Sequence, residues 1–270
     1  MRLGISSYTY TWAIGVPGSL PAQPMSANSL IQRANDLAVH VLQIADNMPL
    51  DRLDSEQHSA LLDTATKLEV DIEVGTRGIN LAIMTRYIEL SRLLKSPILR
   101  VVIDTVDHHP AEDEIVGTLR EYVPLFERTG ITLAIENHDR FTARTFARII
   151  ERIGSTHVGI CLDTVNSFGA LEGPEVVVDV LAEYVVNLHI KDFSIQRHQH
   201  MLGFTIEGQP AGQGRLNIPW LLERLAKHGR DPNAILELWT PPEKELEATL
   251  VKEQSWAVQS VQALRQWING

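Results

Sequence analysis

The sequence predicts an α/β protein built as a single (β/α)8 TIM barrel over its 270 residues. Three observations point there. Eight short runs rich in Ile, Val and Leu alternate with longer amphipathic segments, at intervals of roughly 30 residues. The runs are almost continuously apolar, which suits parallel strands covered on both faces. Eight such units match the length a closed barrel needs, and no Gly-x-Gly-x-x-Gly follows the first run to suggest an open dinucleotide-binding sheet.

The runs occupy residues 3–7, 39–45, 70–75, 98–103, 131–135, 158–162, 185–190 and 234–238. Between them, apolar residues recur every three or four positions, the helical signature. This spacing predicts helices over 29–37, 55–68 (with Ser55 as cap), 80–95, 111–128, 143–153, 174–183, 218–227 and 251–268. Pro124 lies inside the fourth of these and predicts a kink or an early stop. The longest irregular stretch is 194–217, after the seventh run; loops of that length usually carry function or lack fixed structure.

Composition narrows the function. The chain holds 24 basic and 34 acidic residues, a net charge of −10, which would repel a phosphate backbone and argues against a nucleic-acid partner. The lone Cys161 excludes a disulfide framework and a cysteine-based zinc site; mid-strand, it reads as a small buried hydrophobe. No stretch approaches the roughly 20 apolar residues that span a bilayer, and residues 1–7 lack a signal-peptide core. The expectation is a soluble cytoplasmic protein with no membrane partner. Trp256 and Trp267 in the last helix are expected to pack on the barrel or on a second subunit of a homo-oligomer.

A barrel carries its active site at the C-terminal ends of its strands. Strand five ends in Glu136-Asn137-His138-Asp139, strand six in Asp163-Thr164-Val165-Asn166, strand seven in His189-Ile190-Lys191-Asp192, and strand eight in Glu237-Leu238-Trp239. Strand three runs into Gly75-Thr76-Arg77-Gly78 and strand four into Asp104. Buried carboxylates must be paired, hydrogen-bonded or metal-bound. Three carboxylates and an imidazole at one mouth would repel each other without a cation, and a divalent metal supplies one. An oxygen-rich set with one histidine suits Mn²⁺, Mg²⁺ or Co²⁺, with Zn²⁺ also admissible.

The fragments Ile135-Glu136-Asn137-His138, Leu162-Asp163-Thr164, Leu188-His189-Ile190-Lys191-Asp192 and Leu236-Glu237, in this order, resemble the xylose isomerase-like barrels. That superfamily includes sugar isomerases and epimerases, inosose dehydratases and endonuclease IV. The resemblance implies one divalent metal held by Glu136, Asp163, His189 and Glu237, with the two glutamates also carrying protons. The sequence departs from endonuclease IV and from the ketose epimerases at Asn166, where both have histidine. The glycine-rich segment 203–214 also resembles the family, and Arg197, His198 and His200 beside it are candidates to reach an anionic substrate group.

The chemistry implied is an isomerase or epimerase acting on a keto sugar or sugar acid through a metal-stabilised enediolate. Lys191 would sit near the developing oxyanion, or else pair with Asp192. Substrate contacts are assigned to Arg77, His138, Asn166, Trp239, Tyr8 and Trp12. The same enolate also arises when a 3-oxo sugar acid loses CO2, so a metal-dependent decarboxylase is the alternative. Arg77 would then bind the carboxylate in a two-point fork; as a structural cation it would instead pair with an acid such as Glu73. A non-catalytic sugar-binding barrel and a DNA-repair enzyme are weaker readings.

Overall fold

A computed structural model of the chain describes residues 1–268; Asn269 and Gly270, the last residues of the expected barrel unit, lie outside the described residues. The barrel strands are β1 (Leu3–Ser6), β2 (Val41–Ile44), β3 (Asp71–Arg77), β4 (Ile98–Val102), β5 (Thr132–Glu136), β6 (Val158–Asp163) and β7 (Val185–Ile190). A hairpin of β8 (Asp192–Arg197) and β9 (Phe204–Gln209) follows, and then β10 (Ala234–Leu236). β10 pairs in parallel with both β7 and β1 and closes the barrel. Each predicted run falls on one barrel strand, because a strand covered on both faces needs an unbroken apolar stretch.

The helices are α1 (Thr11–Ile14), α2 (Ala27–Asp36), α3 (Ser55–Lys67), α4 (Leu81–Leu93), α5 (Glu112–Thr129), α6 (Ala143–Ile153), α7 (Pro174–Leu181), α8 (Ile218–Lys227) and α9 (Leu246–Leu264). Capping chemistry sets several starts. Ser26 accepts from the Ser29 N–H, so α2 begins earlier than its apolar stripe. The cap of α3 is Asp54 rather than Ser55, because Asp54 and Gln57 form a reciprocal capping box. Pro124 does not stop α5, which continues to Thr129. Leu119 and Phe126, on either side of the proline, are fully buried, and that burial outweighs one missing N–H donor. α9 starts and ends earlier than expected; Trp256 packs against the core, whereas Trp267 is 38% exposed.

The stretch after β7 is only partly irregular: 198–203 and 210–217 have no regular structure. Residues 192–197 and 204–209 pair as an antiparallel hairpin, with Phe193 opposite Gly208 and Ile195 opposite Ile206. The alternation of Phe193 and Ile195 with polar neighbours was the available signal. Asp192 ties the returning chain to the barrel by accepting from the Gly212, Gly214 and Leu216 N–H groups, each at 2.9 Å. Gly214 is required here, since a Cβ would lie 2.2 Å from the Asp192 carboxylate. Among the described residues no helix is long and apolar enough to cross a membrane.

Glu253 on α9 holds the segment that follows β1. It is 1% exposed, and it accepts from the backbone N–H groups of Trp12 at 2.8 Å and Ala13 at 3.0 Å. Burial pushes its carboxyl up to about 7, and no cation pairs with it among the described residues. A carboxyl whose folded pKa exceeds its unfolded value of 4.5 contributes stability that is complete below pH 4.5 and is lost as pH rises through 7. Relative to Glu253→Gln, which does not titrate, the wild type is therefore expected to lose up to about 3 kcal/mol between pH 4.5 and 7.5. Urea unfolding of both forms at several pH values checks this; a constant difference would mean that Glu253 does not titrate in that window.

Candidate active site

The strand ends deliver four residues to one point. Glu136 and Asp163 are the last residues of β5 and β6, His189 is the penultimate residue of β7, and Glu237 directly follows β10. In the sheet register Glu136 lies beside Cys161, and Asp163 beside His189. All four side chains are buried. His189 Nδ1 lies 3.3 Å from Glu136 Oε2, 3.4 Å from Glu237 Oε1 and 3.7 Å from Asp163 Oδ2.

Part of the neutralisation expected of a metal comes from the chain itself. Lys191 Nζ sits 2.8 Å from Asp163 Oδ2 and 2.7 Å from Glu237 Oε2. It does not pair with Asp192, whose oxygens are taken by backbone N–H groups. Burial opposes the Lys191 charge, but Asp163 and Glu237 outweigh it and hold the ammonium well above the ordinary lysine range. In return Lys191 and His189 hold the Asp163 carboxyl well below the usual carboxylate range, against burial. Burial pushes the Cys161 thiol up to about 11, so it stays neutral, consistent with a small core residue.

Two residues that sequence reasoning missed complete the charge network. Arg100, 2% exposed in the middle of β4, bonds Glu136 Oε2 through Nε and Asp46 Oδ1 through Nη1 at 2.6 Å. Asp46, just beyond β2, also accepts from Arg77 Nε at 2.9 Å. The acid partner of Arg77 is therefore Asp46 and not Glu73, which points into the barrel toward amide side chains. Arg77 Nη1 donates to the Asp104 carbonyl at 3.2 Å, leaving Nη2 without a partner among the described residues. The sequence did carry a signal for Arg100, because a charge inside an apolar run must face something.

Above the cluster opens a cavity of about 400 Å³, within the usual range for a small-molecule site. Its wall includes Tyr8, Trp12, Arg77, Arg100, Glu136, His138, Asn166, Lys191 and Trp239, so every assigned substrate contact borders it. Asn166 Nδ2 donates to Glu136 Oε1 at 2.6 Å, and Trp12 Nε1 donates to the Thr240 carbonyl at 2.8 Å. Arg197, His198 and His200 do not border the cavity; they ride the exposed tip of the hairpin. Asp104 is turned away, held by both nitrogens of the Arg140 fork.

The donor set fits a divalent metal. Among the described residues His189 Nδ1 and Glu237 Oε1 are buried without a hydrogen bond, and Asp163 Oδ2 and Glu237 Oε2 are met only by the Lys191 ammonium; a second cation relieves the unpaired atoms. One ligand atom from each of these three residues lies within 4.8 Å of the others. Glu136 is near the same ring nitrogen, but Arg100 and Asn166 already engage both of its oxygens.

Comparison with known proteins agrees with this architecture. The chain is 31% identical over 264 residues, 98% of its length and 95% of the relative's, to the 3-oxo-isoapionate decarboxylase of Pectobacterium atrosepticum. The D-psicose 3-epimerase of Clostridium cellulolyticum H10, solved with D-tagatose, superposes with a TM-score of 0.75 at 15% identity over 99% of both chains. A xylose isomerase-like barrel from Mycobacterium smegmatis, solved in complex with magnesium, superposes with a TM-score of 0.68 at 12% identity over 97% of both chains. The sequence model of the xylose isomerase-like TIM barrel family matches residues 33–267, and the chain belongs to that family.

Proposed function

We propose that the protein is a divalent-metal-dependent decarboxylase of a 3-oxo sugar acid. The observation that carries this reading is the Arg77 guanidinium on the cavity wall, which keeps Nη2 unbonded among the described residues, whereas Arg100 and Lys191 beside it are already paired with Asp46, Glu136, Asp163 and Glu237. A guanidinium with a free N–H on the wall of the cavity suits an anionic substrate group. The full-length relative named as a 3-oxo acid decarboxylase supports the same class. An isomerase or epimerase would need Glu136 and Glu237 both to carry protons, and both oxygens of Glu136 are already bonded.

In this reading Asp163, His189 and Glu237 hold the metal, and Glu136, engaged by Arg100 and Asn166, stands beside it. The bound metal would supply Lewis acidity toward an oxyanion beside the ketone. Arg77 binds and orients the substrate carboxylate. When the bond from that carboxyl carbon to C2 breaks, its electron pair delocalises onto the C3 oxygen as an enediolate, and the carboxylate leaves as CO2. Lys191 places its positive charge beside the new oxyanion and gives a proton to C2; solvent restores that proton. Tyr8, Trp12 and Trp239 cover the carbon skeleton and exclude water, while His138 and Asn166 offer hydrogen bonds to hydroxyls.

The test is a panel of 3-oxo sugar acids and keto sugars, followed by CO2 release and by exchange of the α-proton in deuterated water. CO2 release from a 3-oxo acid, abolished by a chelator and restored by Mn²⁺, is expected. Exchange on a keto sugar without CO2 release from any acid would transfer the reading to an epimerase. Full activity in metal-depleted protein would remove the metal from it.

A further inference from the structure

We propose that Gln43 is a positioning residue that turns the lone pair of His189 toward the metal site, and that Glu73 and Asn187 fix which way round its amide sits. The inference rests on the metal reading above. As a metal ligand His189 is a neutral imidazole with one N–H and one lone pair, whatever charge the ring carries in the metal-free cluster, and the partner of one nitrogen decides the role of the other. His189 Nε2 lies 2.7 Å from Gln43 Oε1, while Nδ1 faces Asp163, Glu136 and Glu237. Donation from Nε2–H to the amide oxygen leaves the Nδ1 lone pair aimed at the cluster. A reversed amide would set an N–H against Nε2 and move the ring proton to Nδ1, where a metal ligand cannot carry it.

The barrel interior prevents that reversal. Gln43 Nε2 donates to Glu73 Oε2 at 3.0 Å and to Asn187 Oδ1 at 2.9 Å. The Glu73 carboxylate also accepts from Asn187 Nδ2 at 2.8 Å and from Asn233 Nδ2 at 2.7 Å. Its acceptance from Asn187 Nδ2 turns the Asn187 oxygen toward Gln43. The Gln43 amide nitrogen thus meets two acceptors, and a reversed amide would put oxygen against both. Gln43, Asn187 and His189 are completely buried and Glu73 is 1% exposed, so water does not relieve the mismatch. A relay of hydrogen bonds from β3 through β2 and across to β7 therefore determines one nitrogen of a metal ligand.

Mn²⁺ binding to the metal-free protein, measured by calorimetry, reads this without turnover. Gln43→Met removes the acceptor and should weaken Mn²⁺ binding by about 10–100-fold. Gln43→Glu combined with Glu73→Gln keeps an oxygen for the His189 N–H and a donor between the two side chains, and should stay within about threefold of wild type, since the outer-shell acceptor remains. If Gln43→Met does not fold, Gln43→Asn, which withdraws the amide by one methylene, takes its place with the same expected loss. Unchanged Mn²⁺ affinity in the Met or Asn variant, whatever happens to its melting temperature, overturns the positioning role. Failure of the metal reading looks different: His189→Ala would then bind Mn²⁺ as well as wild type, and the proposal falls with it.

Discussion

Replacing Arg100 with methionine is expected to cost about 3–5 kcal/mol of folding stability, measured by urea unfolding, because it leaves the buried Glu136 carboxylate without its guanidinium and Asp46 with Arg77 alone. The guanidinium is 2% exposed and bonded to Glu136 and Asp46. Burial lowers the Arg100 pKa, yet Glu136 and Asp46 outweigh it and hold it well above the ordinary value. Asp46 is in turn held well below the usual carboxylate range by Arg100 and Arg77, against burial. Its stabilising contribution is therefore present above the unfolded carboxylate pKa and is lost as pH falls through the folded one. The double variant Arg100→Met/Glu136→Gln should recover part of the loss, because one of the stranded charges is gone. A cost below about 1 kcal/mol for Arg100→Met would mean that the carboxylates are compensated elsewhere.

Arg100 also marks where the sequence stopped being legible. The barrel could be read because eight apolar runs record which strands are covered on both faces, and that pattern depends on nearest neighbours only. Strand ends could be read as site positions because the barrel fixes which end of a strand faces the mouth. That logic brings Glu136, Asp163, His189 and Glu237 within reach of one another. Pairings across the barrel were not legible. Asp46 and Arg100 are 54 residues apart, and nothing local indicates that one guanidinium spans β2 and β5. Lys191 and Asp192 are adjacent in sequence, yet alternation along the chain sends the lysine into the site and the aspartate to the hairpin return. The hairpin itself was hidden by its length, since two six-residue strands rich in polar residues resemble a loop.

Glu237→Gln is expected to lower kcat by about 10²–10⁴-fold while the protein stays folded. Glu237 Oε2 is in ion-pair contact with Lys191 at 2.7 Å, and Oε1, without a hydrogen bond among the described residues, faces His189 at 3.4 Å. Burial raises the carboxyl, but His189, Lys191 and Arg100 prevail and hold it below its usual value, so it is a carboxylate at neutral pH. Glutamine keeps the shape and removes the charge. The metal site loses one anionic ligand, and the Lys191 ammonium loses one of its two partners. Both changes act where the oxyanion would develop, so kcat should fall further than KM rises. Glu136→Gln should behave differently, because Glu136 also neutralises Arg100, and its loss should appear in urea unfolding as well as in turnover. Metal affinity separates the two causes of a lower kcat in Glu237→Gln: if saturating Mn²⁺ restores the rate, Glu237 is a ligand only. If the rate stays low with the metal bound, its charge acts on the reacting atoms. Wild-type turnover in Glu237→Gln without added metal would remove this residue from the reacting constellation altogether.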